Sequence, residues 1–103
     1  MKPLTKEHII QNSKPHPISL GGIPSYRNAR QYTEEIGDYT LSIVGGVEGL
    51  YGNFKNTFEV ALIDNSNGEF VTGKYSNSTK SDDVMGYANI DEINDLYLNI
   101  PRK

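Results

Sequence analysis

The chain has 103 residues, 36% of them hydrophobic, with neither cysteine nor tryptophan, a length that suits one domain burying about 60% of its unfolded surface. Without cysteine there is no disulfide scaffold, iron–sulfur cluster, thiol nucleophile or thiolate zinc site. Ten Lys and Arg against thirteen Asp and Glu give a net charge of −3, which leaves no electrostatic footprint for a DNA or RNA polymer.

The net value conceals an asymmetry. Residues 1–30 carry five bases against Glu7 alone, net +4; residues 31–80 are net −4 and residues 81–103 net −3. Attraction between the termini accounts for such a pattern, and so does a bipolar binding surface. The first ten residues are charged, and no apolar run approaches the roughly 20 residues of a membrane span, so the expected location is cytoplasmic, without a membrane partner.

Thr5 is a good N-cap for a short helix over residues 5–13, and Leu4 and Ile9 occupy the two positions of a hydrophobic staple. Pro15 and Pro17 stop it, and two turns are stable only if Ile9 or Ile10 packs on something. Ile18-Ser19-Leu20 alternates as a brief strand, and Gly21-Gly22 with Pro24 marks a turn. Residues 25–30 read as loop or as one helical turn, in which Arg27 and Arg30 share a face.

Residues 30–35 and 39–44 flank Ile36-Gly37-Asp38, a connection suited to a hairpin. Residues 57–64 form the strongest strand, with Phe58, Val60 and Leu62 on one face and a mixed second face that implies a central position. Asp64-Asn65-Ser66-Asn67-Gly68 supplies a turn, from which residues 69–75 are expected to return as the hairpin partner. Residues 76–81 read as a polar loop and Val84-Met85-Gly86-Tyr87 as a short edge strand. Asn89 and Glu92 form a capping box for a helix over about 90–100. Its stripe of Ile90, Ile93, Leu96, Tyr97 and Ile100 should cover the Tyr39/Leu41/Ile43 and Phe58/Val60/Leu62 face. The fold class is therefore α+β: an antiparallel β-meander of four to five strands over about 30–87, with a short N-terminal helix and a C-terminal helix packed on one face.

No catalytic constellation stands out, and the expectation is a protein that is not an enzyme and uses no metal or cofactor. His8 and His16 stand beside no second ligand type at metal spacing, and there is no Gly-x-Ser-x-Gly elbow. Asp64–Glu69 has the look of a calcium loop but lacks flanking helices and has Tyr75 where the distal glutamate belongs.

Two groups of residues invite binding. Four of the ten glycines crowd into residues 45–52. Gly46, Gly49 and Gly52 recur every three residues around Glu48, a pattern that either offers backbone N–H groups to an anion or serves loop geometry alone. Leu50, Tyr51 and Phe54 on the same loop must fold back or meet a partner. Arg27 and Arg30, with Tyr26 and Tyr32 beside them, combine phosphate-forking and stacking chemistry, and equally suit salt bridges to Glu34, Glu35 or the acidic C-terminal segment. The candidate binding set is Tyr26, Arg27, Arg30, Gly46, Glu48, Gly49, Leu50, Tyr51 and Phe54.

The stretches Ser19-Leu20-Gly21-Gly22-Ile23-Pro24-Ser25-Tyr26-Arg27-Asn28-Ala29-Arg30, Ser42-Ile43-Val44-Gly45-Gly46, Tyr51-Gly52, Thr57-Phe58-Glu59-Val60-Ala61 and Asp83-Val84-Met85-Gly86-Tyr87 resemble small single-domain proteins of tailed bacteriophages. The resemblance brings no catalytic motif. It implies a host-takeover or counter-defence factor, of a kind that blocks an enzyme surface, mimics DNA or sequesters a nucleotide signal. A charge of −3 over this length is too weak and too mixed for DNA mimicry. The leading expectation is a non-catalytic binding protein, a phage-encoded inhibitor that occludes the surface of a host defence or metabolic component. Alternatives are a sponge for a small phosphorylated or cyclic nucleotide and a structural or assembly protein. The edge strand near 84–87 leaves homo-oligomer formation open.

Overall fold

Period-two alternation of apolar residues builds a sheet in the computed structural model of the protein, which describes residues 2–47, 50, 52–75 and 84–102. Strands β1 (Lys14–Pro15), β2 (Arg30–Ile36), β3 (Tyr39–Gly45), β4 (Phe58–Asp64) and β5 (Met85–Ala88) lie side by side in chain order, every neighbouring pair antiparallel. Among the described residues the helices are α1 (Lys6–Gln11), α2 (Thr72–Tyr75) and α3 (Ile90–Tyr97). The architecture is α+β, with β5 at the edge as the residue pattern implies; β4 is internal, between β3 and β5, and the centre of the sheet is β3.

β2 and β3 meet Ile36 to Tyr39 across a two-residue turn, where Gly37 takes a φ of 57°. A positive φ at that position matches the right-handed twist of the flanking strands and favours glycine. One face of the sheet is apolar: Leu41, Ile43, Phe58, Val60 and Leu62 are fully or almost fully buried, together with Ile93, Leu96, Tyr97 and Ile100. Each such side chain contributes about 1.5–3 kcal/mol when removed from water. Tyr39 packs on the margin of this core, partly buried.

The capping box of α3 is present in both directions: Asn89 Oδ1 accepts from Glu92 N at 2.9 Å, and Asn89 N donates to Glu92 Oε1 at 3.2 Å. α3 ends earlier than its apolar stripe. Leu98 caps it, and a turn closed by Asn99 N donating to Leu96 O at 3.0 Å brings Ile100 into the core. At the other terminus Thr5 Oγ1 accepts from His8 N, and both staple residues, Leu4 and Ile9, are buried. Asn94 of α3 acts as a substitute peptide for Leu4, accepting from its N at 2.7 Å and donating to its O at 2.9 Å. That reciprocal pair explains how so short an N-terminal helix is held.

Three expectations are corrected. Residues 69–75 do not form a strand. Phe70 makes a single bridge to Ile63, and Val71 N donates to Leu62 O at 2.8 Å. The buried Thr72 then accepts from Leu62 N through its hydroxyl, at 2.9 Å. With the β4 edge satisfied by a side chain, the backbone is released into α2, and β5 pairs with β4 at Phe58 and Val60 instead. Residues 18–20 are likewise not a strand but part of a 3₁₀ turn, Pro17–Gly21. Pro17 stands where its missing N–H costs nothing, His16 Nδ1 caps Ile18 N at 3.1 Å, and Gly22 closes the turn at φ 78°. Finally, the sheet begins before residue 30, with β1 pairing Lys14 to Gln31 and Pro15 to Arg30. Proline is admissible there because β1 is an edge strand.

Candidate functional site

The glycines after β3 are used for close backbone approach. A Cβ on Gly46 would lie 2.6 Å from Asn28 O, one on Gly45 2.9 Å from Gly52 O, and one on Gly52 2.5 Å from the Cα of Phe58. Gly46 also takes a φ of 99° and donates to Gly52 O at 3.0 Å, closing the loop at its base. The loop's return is organised by Asn53, whose Oδ1 accepts from the N–H groups of Lys55, Asn56 and Thr57 at 2.9, 3.0 and 3.1 Å. One side chain thus satisfies three successive donors that no strand partner reaches. Phe54 is forced to φ 57°, and its ring turns inward, 5% exposed and edge-on to Phe58 at 5.2 Å.

Beside this loop lies an open hollow of about 1150 Å³, floored by Phe54 and flanked by Ile10, Arg30, Leu50, Lys55 and Tyr87. Arg30, the first residue of β2, is fixed from the N-terminal side: its Nε donates to Ser13 Oγ at 3.1 Å and its Nη2 to Ser13 O at 2.8 Å. Along the described lining the charged residues are Arg30 and Lys55, both cationic. Ile10 and Tyr87 expose 40% and 62% of their surface there. Tyr87 owes its position to an irregularity in the β4–β5 register between Phe58 and Val60, and it adopts a φ of 51°. Register breaks of this kind re-aim a side chain next to functional sites.

Of the residues expected to bind, Arg30, Gly46, Leu50 and Phe54 come together around the hollow. Phe54 does so as buried floor rather than as an outward anchor. Tyr26 and Arg27 stand elsewhere, closing the 3₁₀ turn Pro24–Tyr26, and are not part of the described lining. Glu48, Gly49 and Tyr51 lie outside the described residues. The expected pairing of Arg30 with Glu34 or Glu35 does not form among the described residues, because Ser13 engages the guanidinium and other groups engage the carboxylates. Ile10, Asn53, Lys55 and Tyr87 escape the sequence reading. The Asn53–Thr57 turn carries a signal, an asparagine ahead of polar residues, and Gly86, a glycine inside a strand, is the one sequence mark of the β5 irregularity that presents Tyr87.

The far end of β2 holds a second polar cluster. The Glu34 carboxylate accepts from the Tyr32 hydroxyl at 2.6 Å and the Tyr97 hydroxyl at 2.8 Å. Burial first, and then the bond to Glu34, push both tyrosines above their ordinary range. Arg102 lies 4.6 Å over the Tyr97 ring and donates from Nη2 to Tyr97 O at 2.7 Å. Glu35 accepts from Thr40 Oγ1 at 2.6 Å and Asn65 Nδ2 at 3.3 Å. Among the described residues no group of three or more acidic or histidine side chains is arranged to hold a metal, and no helix is long and apolar enough to cross a membrane.

Comparison with known proteins finds no matching family model, no similar curated protein and no similar solved structure.

Proposed function

We propose that the chain is a non-catalytic binding protein that acts by occluding the surface of another protein, and that the hollow beside the 46–57 loop is the face it uses. One observation carries this reading: exposed Ile10 and Tyr87 and half-buried Leu50 meet two cations, Arg30 and Lys55, around a single concave surface. Apolar and aromatic anchors beside arginine are the composition of interface hot spots. In this reading, which follows the resemblance to tailed-phage proteins, the partner is a component of host defence or metabolism met in the host cytoplasm. A nucleotide sponge built on Arg27 and Arg30 has less support, since only Arg30 of that pair lines the hollow.

The test is capture from host lysate, identification of the retained protein, and measurement of Kd with both components purified. Replacing Leu50 and Tyr87 together with alanine should weaken binding about thirty-fold, the equivalent of about 2 kcal/mol, while thermal stability stays close to that of the parent chain. An unchanged Kd would remove the hollow from the interface.

A further inference from the structure

We infer that the hollow recognises an acidic segment of its partner, in which carboxylates flank an aliphatic or aromatic anchor. The inference rests on the occlusion reading and names what the hollow takes.

Charge comes first. The whole chain is net −3, and residues 31–103 carry nearly all its acids, yet the described lining of the hollow presents Arg30 and Lys55 and no carboxylate. An acidic segment is drawn to the two cations of this lining, which sets orientation and encounter rate. Arg30 is prepared for the task. Ser13 takes two of its N–H groups and fixes the guanidinium, so the other donors of its five-donor fork reach a carboxylate without first ordering a long side chain.

Shape comes second. At about 1150 Å³ and open to solvent, the hollow exceeds the roughly 300–1,000 Å³ of clefts that enclose small molecules. A small nucleotide would leave much of its surface wet there, whereas a stretch of polypeptide lies along the hollow and continues past it. The anchor positions come third: Ile10, Leu50 and Tyr87 offer apolar contact between the cations. Tyr87 is held outward in a left-handed conformation that bulky residues seldom adopt.

A fluorescein-labelled peptide with a leucine–phenylalanine pair flanked by glutamate and aspartate is the probe, with a copy carrying lysine at every acidic position as control and ATP and cyclic AMP as competitors. The acidic peptide should bind saturably and weaken as sodium chloride rises, and the lysine copy should not bind. Lys55→Glu should weaken the acidic peptide roughly ten-fold, since it removes an attraction and adds a repulsion, with no loss of thermal stability because Lys55 is exposed. Equal binding of both peptides, salt-independent binding, or saturation by a nucleotide without binding of the acidic peptide each overturns the inference. If the acidic peptide fails while the Leu50/Tyr87 double variant still releases the captured partner, the acidic specificity falls and occlusion stands. If the double variant also keeps its partner, both fall.

Discussion

At the far end of β2, Glu34 accepts from Tyr32 and Tyr97 while Arg102 lies over the Tyr97 ring; at its start, Arg30 is steadied by Ser13 and faces the hollow beside Lys55. Both ends use arginine and tyrosine, but at the first the Glu34 carboxylate is closed by two tyrosine hydroxyls, although the buried Arg102 Nε has no hydrogen-bond partner, and the second leaves charge directed outward. The two left-handed aromatics divide the same way. Phe54 and Tyr87 share nearly the same φ, 57° and 51°, yet Phe54 is 5% exposed and Tyr87 62% exposed. Such a conformation costs on the order of 1–3 kcal/mol in a non-glycine residue. Burial against Phe58 offsets that cost at Phe54, and burial offsets little of it at Tyr87. Groups that satisfy each other hold a fold together; strain and charge retained at a surface are what the proposed binding face is built from.

The contrast depends on a rigid floor beneath the hollow, and Gly52→Ala tests that floor with the largest expected effect. Its new Cβ would meet the Cα and N of Phe58 at 2.5 and 2.7 Å and Thr57 O at 2.7 Å, all backbone atoms that no rotamer change moves aside. Overpacking of this kind should cost about 3 kcal/mol, a fall of roughly 12–24 °C in Tm for a domain this size. Gly21→Ala is the control, since nothing lies within 4 Å of its Cβ position and its φ is not positive; it should be neutral or stabilising by at most about 1 kcal/mol. Comparable losses at both sites in a thermal melt would mean that the loop is not packed as described.

The sheet and α3 were legible because their signals are periodic and local. Phe58, Val60 and Leu62 repeat every second residue, Ile90, Ile93, Leu96 and Tyr97 repeat along a helix face, and Asn89 with Glu92 announces the helix start. Residues 69–75 misled because a turn after β4 ordinarily feeds a hairpin, and the sequence does not show that Thr72 will spend its hydroxyl on Leu62 N. The candidate site was half legible. Arg30, Gly46 and Leu50 are marked by residue type and spacing. Ile10, Lys55 and Tyr87 reach the hollow only through tertiary placement: α1 folding back onto the core, an asparagine-centred turn, and a register irregularity between β4 and β5.

The closed end can be broken by pH. Tyr32 and Tyr97 are held protonated above the ordinary tyrosine value of about 10. Below that pH folded and unfolded chains carry the same protons on these groups, so their contribution is complete. As pH rises above about 10 toward the raised folded values, the unfolded chain releases protons that the folded chain keeps, and stability falls. Tyr97→Phe should lose about 1 kcal/mol near neutrality, the worth of one hydrogen bond to Glu34, and should show a shallower decline above about pH 10. Urea midpoints measured across that range for both chains give the two slopes, and parallel slopes would show that Tyr97 does not carry the alkaline sensitivity.

The smallest effect on stability is the most informative about the open end. Tyr87→Gly removes a mostly exposed side chain and installs the residue that best tolerates a φ of 51°, so stability should change by no more than about 1 kcal/mol in either direction. Binding of the acidic peptide should weaken at the same time, because the outward ring is lost while Arg30 and Lys55 remain. Residues kept only for the fold lose stability when replaced, whereas replacing a strained surface anchor costs affinity and little stability. If Tyr87→Gly lowers stability by more than about 1 kcal/mol and leaves peptide affinity intact, Tyr87 belongs with Phe54 as a packing residue, and the distinction drawn between the two left-handed aromatics collapses.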